Sequence, residues 1–198
     1  DIRPSRGLGD VYKRQADDLQ QQKHKLSQQL NLNAQKQWVF VHAGSGGSAN
    51  NLSLQQYTQL ICDMPELFEI ILTAGPGEEQ KAAELHSLLK ENGRTSVVYD
   101  KNDGLVDFSC SIACADLFVA GSTGPLHIAA AIDVPTVGFF PSKRSATPLR
   151  WKPINSVGNH IAFCPPVAED KASQENMARI DIDVVSRELQ PWISRKLN

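Results

Sequence analysis

The sequence predicts an α/β domain, a parallel sheet with helices on both faces, from three observations. Short apolar runs recur along the chain: WVFVHA (38–43), LFEIILTA (67–74), TSVVY (95–99), DLFVAG (116–121) and VPTVGFF (134–140). They lack the alternation of a strand with one face in water, so each is expected to be covered on both sides. The segments between them carry apolar residues at helical spacing, and strands separated by helices run parallel.

The elements follow in order. Residues 1–15 hold Arg3, Arg6, Lys13 and Arg14 against Asp1 and Asp10, with neither helical nor strand periodicity. They are expected to be a non-native, adaptor-derived tail outside the fold. Residues 16–37 are rich in Gln, Lys and Asn, and Leu19, Leu26 and Leu30 fall on a loose 3.6-residue period, so an exposed amphipathic linker helix is expected. The domain proper is 38–198. Its first strand is followed by a helix through Leu54, Tyr57, Leu60 and Ile61. The second is followed by the turn Gly75-Pro76-Gly77 and a helix over 78–92, with Ala82, Leu85, Leu88 and Leu89 on one face. Gly93 supplies its stop. Helices over 105–115 and 125–132 separate the remaining strands. Asp181 caps a last helix towards Leu197, in which Pro191 is expected to place a kink.

Composition bounds the function. The 198 residues fit one domain of about 150 residues with an appendage. A hydrophobic share of 41% and a charged share of 21% suit a globular chain. The net charge of −2 gives no global attraction to nucleic acid or anionic lipid, so any phosphate site is local. No apolar run approaches the roughly 20 residues that span a bilayer, and no transmembrane segment is expected. Four cysteines without a C-x-x-C pair, and no secretory signal, suggest a cytoplasmic protein with free thiols.

Ligands of parallel sheets bind beyond the carboxyl ends of the strands, which makes the following loops the candidates. After the first strand comes HAGSGGSANN (42–51). Its glycines admit close backbone approach, and Ser45 and Ser48 offer hydroxyls to phosphate; the other reading is a plain Gly/Ser turn. Gly44, Gly46 and Ala49 fit a dinucleotide pattern that also needs an acid ending the second strand. Thr73-Ala74-Gly75 stands there, with Glu78 and Glu79 the nearest carboxylates, which disfavours a nicotinamide cofactor. After the fourth strand comes AGSTGPLH (120–127). Pro125 suits the first helical position and leaves the N–H groups of Leu126 and His127 at the positive helix end, beside Ser122, Thr123 and Gly124. An anion is expected there. His127 either contacts it or is a core histidine with an internal partner. After the fifth strand, Lys143, Arg144, Arg150 and Trp151 gather on the same rim, for phosphate neutralisation and base packing or as a solvated loop. Cys110 and Cys114 read as core residues, and no histidine completes a zinc set.

Taken together, HAGSGGSANNLSLQQY, GPGEE and ADLFVAGSTGPLHIAAAIDVPTVGFF with SKRSATPLRW resemble glycosyltransferase family 9, the heptosyltransferase family of lipopolysaccharide core assembly, from about Trp38 onward. The resemblance implies the Rossmann-like C-terminal, donor-binding half of a two-domain GT-B enzyme, with the N-terminal acceptor-binding half absent. It implies a nucleotide-diphospho-sugar donor, usually ADP-heptose, with no cofactor or metal. A lipopolysaccharide core or lipid A acceptor is implied for the full-length protein, at the cytoplasmic face of the inner membrane. By position, Thr123, Gly124 and His127 match the family's diphosphate motif, Ser45 and Ser48 its polar loop, and Glu78 or Glu79 an acid near the donor's ribose or sugar. The family often has Asp where Ser122 stands and Lys where Asn50 or Asn51 stands; Lys143, Arg144 and Arg150 are candidates to replace that charge. A carboxylate base is implied in the other half, so the chain alone is expected to bind donor without transferring sugar. A non-catalytic nucleotide-binding or regulatory domain and a nicotinamide-dependent oxidoreductase stand as alternatives.

Overall fold

The computed structural model describes residues 8–46, 50–143 and 153–197, with side chains from residue 17 onward. In chain order the elements are α1 (Leu8–Leu30), β1 (Trp38–His42), α2 (Leu54–Cys62), β2 (Glu69–Thr73), α3 (Glu79–Glu91), β3 (Val97–Tyr99) and α4 (Leu105–Ile112). Then follow β4 (Leu117–Gly121), α5 (Gly124–Ala131), β5 (Thr136–Phe139), β6 (His160–Phe163), α6 (Lys171–Glu175), a 3₁₀ turn (Met177–Arg179) and α7 (Ile182–Leu197). The six strands pair in the order β3-β2-β1-β4-β5-β6, every pair parallel. This is the Rossmann-like α/β sheet that the apolar runs predict.

Side-chain alternation along each strand divides the core in two. Val39, Val41, Ile70, Leu72, Val119 and Phe139 face α2, α3 and α7, where Tyr57, Leu60, Leu85 and Leu189 cover them. Trp38, Phe40, Ile71, Phe118 and Phe140 face the opposite layer, with Leu26 from α1, Phe108 and Ile112 from α4, and Leu126 from α5. Strands buried on both faces need no polar side, which is why they read as unbroken apolar runs.

Four expectations change. First, α1 begins at Leu8, inside the segment 1–15, and ends at Leu30 rather than 37. Residues 10–30 contain neither glycine nor proline, and a helix once nucleated extends cheaply along such a run. It stops where Asn31 turns left-handed (φ 53°) and the Leu32 N–H returns to the Ser27 carbonyl at 2.9 Å, a Schellman closure. Second, the helix does not stand free. Leu26 is buried, and Gln22 and Lys25 donate to Asp107 of α4 at 3.2 and 2.9 Å. Third, β6 was not among the expected strands; it forms an edge whose residues are mostly half-buried. Fourth, Cys110 is exposed, whereas Cys114 is buried and its thiol pushed up to about 12 by that burial. Asp181 caps α7 as expected, accepting from the N–H groups of Asp183 and Val184 at 3.0 and 3.4 Å, and the helix continues through Pro191. Among the described residues no helix is long and apolar enough to cross a membrane.

Candidate functional site

The strand order reverses between β1 and β4, so the loops leaving these two neighbours diverge and open a crevice at their carboxyl ends. A cleft of about 790 Å³ lies there. Its walls come from the loop after β1 (His42, Ser45, Gly46), the loop after β2 (Gly75, Glu78), the approach to α4 (Asn102, Gly104) and the start of α5 (Ser122, Thr123, His127).

One amide organises the first loop. Asn51 Nδ2 donates to the carbonyls of Ala43 and Gly44 at 3.1 and 2.9 Å; its Oδ1 accepts from the Leu52 N–H at 2.9 Å and the Tyr57 hydroxyl at 2.7 Å. Burial raises the Tyr57 pKa, so the phenol stays protonated and donates. The end of β4 presses against this amide: a Cβ on Gly121 would fall 2.5 Å from Asn51 Oδ1. The glycine is required for that approach.

A carboxylate joins the first two loops. Glu78 precedes α3 at its N-cap position. Its Oε1 accepts from the Gly46 N–H at 2.7 Å, its Oε2 accepts from the Gly75 N–H at 3.2 Å, and Oε2 lies 3.3 Å from His42 Nε2. Burial opposes its ionisation, but the Gly46 N–H and His42 outweigh it and hold the carboxyl below its usual range. Within the cleft, then, an internal carboxylate takes the Gly46 N–H of the loop whose glycines the sequence reads as admitting a phosphate.

The opposite wall is the N-terminus of α5. The helix starts at Gly124 with Thr123 as its cap, so Pro125 is its second residue rather than its first. His127 donates its N–H to the Thr123 carbonyl at 3.3 Å. The N–H groups that the first turn leaves over are therefore those of Gly124 and Leu126, not of His127. The His127 ring is half-buried in the cleft wall, and burial lowers its pKa. Near neutral pH it offers a ring N–H rather than a positive charge.

The expected site residues divide accordingly. Ser45, Glu78, Ser122, Thr123, Gly124 and His127 come together in the cleft. Leu126 does not line the cleft; its side chain is fully buried, and only its N–H in the first turn of α5 is left for a ligand. Glu79 is exposed on the first turn of α3, outside the lining. Asn50 turns aside and donates to the Glu175 carbonyl at 3.1 Å, and Lys143 pairs with the Glu175 carboxylate at 3.0 Å. Neither lines the cleft. Ser48, Arg144, Arg150 and Trp151 lie outside the described residues. Sequence reasoning missed His42, Asn102, Gly104, Leu105 and Phe108. Of these, His42 carried a signal, as the polar end of an otherwise apolar run.

The buried imidazole sets a pH dependence. Burial holds the His42 pKa below 6.5 despite the attraction of Glu78, and His127 is lowered as well. Below about pH 6.5 the unfolded chain therefore binds protons that the folded chain refuses, and stability falls with acidification. Thermal melts are expected to show Tm declining from pH 7 to 5, with a shallower decline in His42→Gln; a flat wild-type profile would contradict the assignment.

Comparison with known proteins places this architecture. The model of glycosyltransferase family 9 (heptosyltransferase) matches residues 6–178, beginning inside the segment 1–15. A Haemophilus influenzae protein whose name classes it as a glycosyltransferase is 55% identical over 170 residues, 85% of this chain and 48% of that protein. Lipooligosaccharide heptosyltransferase 2 of Campylobacter jejuni is 26% identical over 148 residues, 73% of this chain and 46% of its own length. The solved Escherichia coli ADP-heptose lipopolysaccharide heptosyltransferase II shares the fold, with a TM-score of 0.70 at 16% identity, over 90% of this chain and 53% of that one. The chain spans about half the length of the curated relatives it matches.

Proposed function

Because the chain belongs to glycosyltransferase family 9, we propose that its cleft binds a nucleotide-diphospho-sugar, ADP-heptose in the first instance, as donor for inverting transfer to a lipopolysaccharide core acceptor. The observation that carries this reading is the polarity of the cleft: backbone donors at the start of α5 face it on one side, and an ionised carboxylate on the other. The first suits a diphosphate and the second suits ligand hydroxyls. Leu105 and Phe108 add an apolar wall on which a base can pack. The E. coli neighbour and the Campylobacter relative, named for ADP-heptose and lipooligosaccharide, support the donor and acceptor classes.

In the reaction an acceptor hydroxyl attacks the anomeric carbon, the bond from that carbon to the phosphate oxygen breaks, and ADP departs. Negative charge grows on the diphosphate as it leaves. In this reading the N–H groups of Gly124 and Leu126, the His127 ring, and the Thr123 hydroxyl once turned from the Gly121 carbonyl hold it, without a metal. The general base belongs to the acceptor-binding half of the full-length protein, at work on the cytoplasmic face of the inner membrane.

Calorimetric titration tests this. ADP and ADP-heptose are expected to bind, UDP-sugars more weakly and NADH not at all, and His127→Ala is expected to weaken ADP about tenfold, roughly 1.4 kcal/mol. Equal binding of all nucleotides, or an unaffected variant, would refute the site.

A further inference from the structure

His42 is 2% exposed at the end of β1, on a strand whose other members are apolar. A polar side chain so placed requires partners, and both ring nitrogens have one: Nδ1 lies 3.0 Å from Thr73 Oγ1 and Nε2 lies 3.3 Å from Glu78 Oε2. An ionised carboxylate only accepts hydrogen bonds, so a ring proton on the side of Oε2 is the tautomer that suits this contact. In that tautomer Nδ1 accepts from the Thr73 hydroxyl, which otherwise donates to the Val41 carbonyl at 3.4 Å. Glu78 accepts from the N–H groups of Gly46 and Gly75, the Ser45 backbone lowers its carboxyl pKa further, and the His42 imidazole stands against its Oε2. Glu78 also lines the cleft, so its carboxylate is within reach of a ligand. A Cβ on Gly44 would stand 2.0 Å from Glu78 Oε2, so the backbone is cut away to seat this group.

We propose that His42 is a positioning residue: its imidazole, set against Oε2, fixes the Glu78 carboxylate so that it meets a hydroxyl of the nucleoside or sugar. This rests on the donor-binding reading above. It assigns the hydroxyl-recognising end of the cleft to a buried His–Glu pair, not to Glu78 alone. The groups around the imidazole are Glu78, the Thr73 hydroxyl from β2, the more distant Lys81 from α3, and the Tyr57 hydroxyl, 3.5 Å from the His42 carbonyl.

The test uses the whole chain as wild type, His42→Leu and His42→Gln, titrated with ADP and with inorganic diphosphate. The leucine variant is expected to bind ADP about tenfold more weakly and inorganic diphosphate as wild type does, whereas glutamine, which restores an N–H near the Nε2 position, recovers most of the ADP affinity. Unchanged ADP affinity in the leucine variant, or equal loss of both ligands, overturns the proposal. Wild-type chain that binds neither ligand defeats the donor-binding reading instead. The pair itself is read without ligand by ¹⁵N NMR of the His42 ring in wild type and Glu78→Gln. An Nε2–H tautomer, with a pKa that falls in the variant, is expected; an Nδ1–H tautomer, or an identical pKa, overturns the proposal even if the leucine variant fails to fold.

Discussion

Phe139→Ala is expected to lower the unfolding free energy by about 3–5 kcal/mol, a large part of the roughly 5–15 kcal/mol that a domain possesses. Phe139 is fully buried at the end of β5. Its ring stacks on Phe163 of β6, with centroids 5.9 Å apart, and meets the edge of Tyr57 from α2 at 6.2 Å. Removing it leaves a void where the sheet, its edge strand and a covering helix meet, and a close-packed interior collapses only partly into such a space. Tyr57 in turn holds Asn51 and thereby the first loop of the cleft. Urea unfolding is the measurement: the midpoint should fall with little change in slope. A loss below about 1 kcal/mol would mean that the interior around β5 is not packed as described.

Asn51→Ala should have the second largest effect, and on binding as well as on stability. Its amide accounts for four hydrogen bonds, and the Tyr57 hydroxyl depends on one of them. The buried Tyr57 hydroxyl loses its shortest partner and keeps only the long contact to the His42 carbonyl and the Gly121 backbone, a weakening within the roughly 1–3 kcal/mol of a lost buried hydrogen bond, and the loop additionally loses its two carbonyl anchors. The expected result is a loss of about 2–3 kcal/mol together with at least tenfold weaker ADP binding, about 1.4 kcal/mol. Asn51→Asp should be no better, because a carboxylate would turn an oxygen towards the carbonyls of Ala43 and Gly44. Denaturation and calorimetry on the two variants decide this; an aspartate variant that binds ADP like wild type would show that the amide does not organise the loop.

The parts of this molecule legible in the sequence are those written locally. Five strands announced themselves as runs covered on both faces. The start of α5 was visible within eight residues, because strand end, cap, proline and histidine follow one another in AGSTGPLH. β6 escaped because HIAF is a short edge strand, and its half-buried residues impose little pattern on composition. Long-range contacts were illegible. The first loop reads as a phosphate cradle until Glu78, 32 residues on, takes the Gly46 N–H. Glu78 and Glu79 are adjacent and alike in type; only the turn of the chain before α3 sends one into the cleft and the other into water. Lys143 looked free to neutralise a ligand until Glu175, from a helix the sequence did not reveal, paired with it.

The central claim is that the start of α5 holds the diphosphate while Glu78 keeps its place between the first two loops. A crystal structure of the chain with ADP bound measures this directly. The account predicts diphosphate oxygens within hydrogen-bonding distance of the Gly124 and Leu126 N–H groups and the Thr123 hydroxyl, with the Glu78 carboxylate still on the Gly46 N–H. A diphosphate seated in the first loop, with Glu78 expelled and the start of α5 empty, would contradict it.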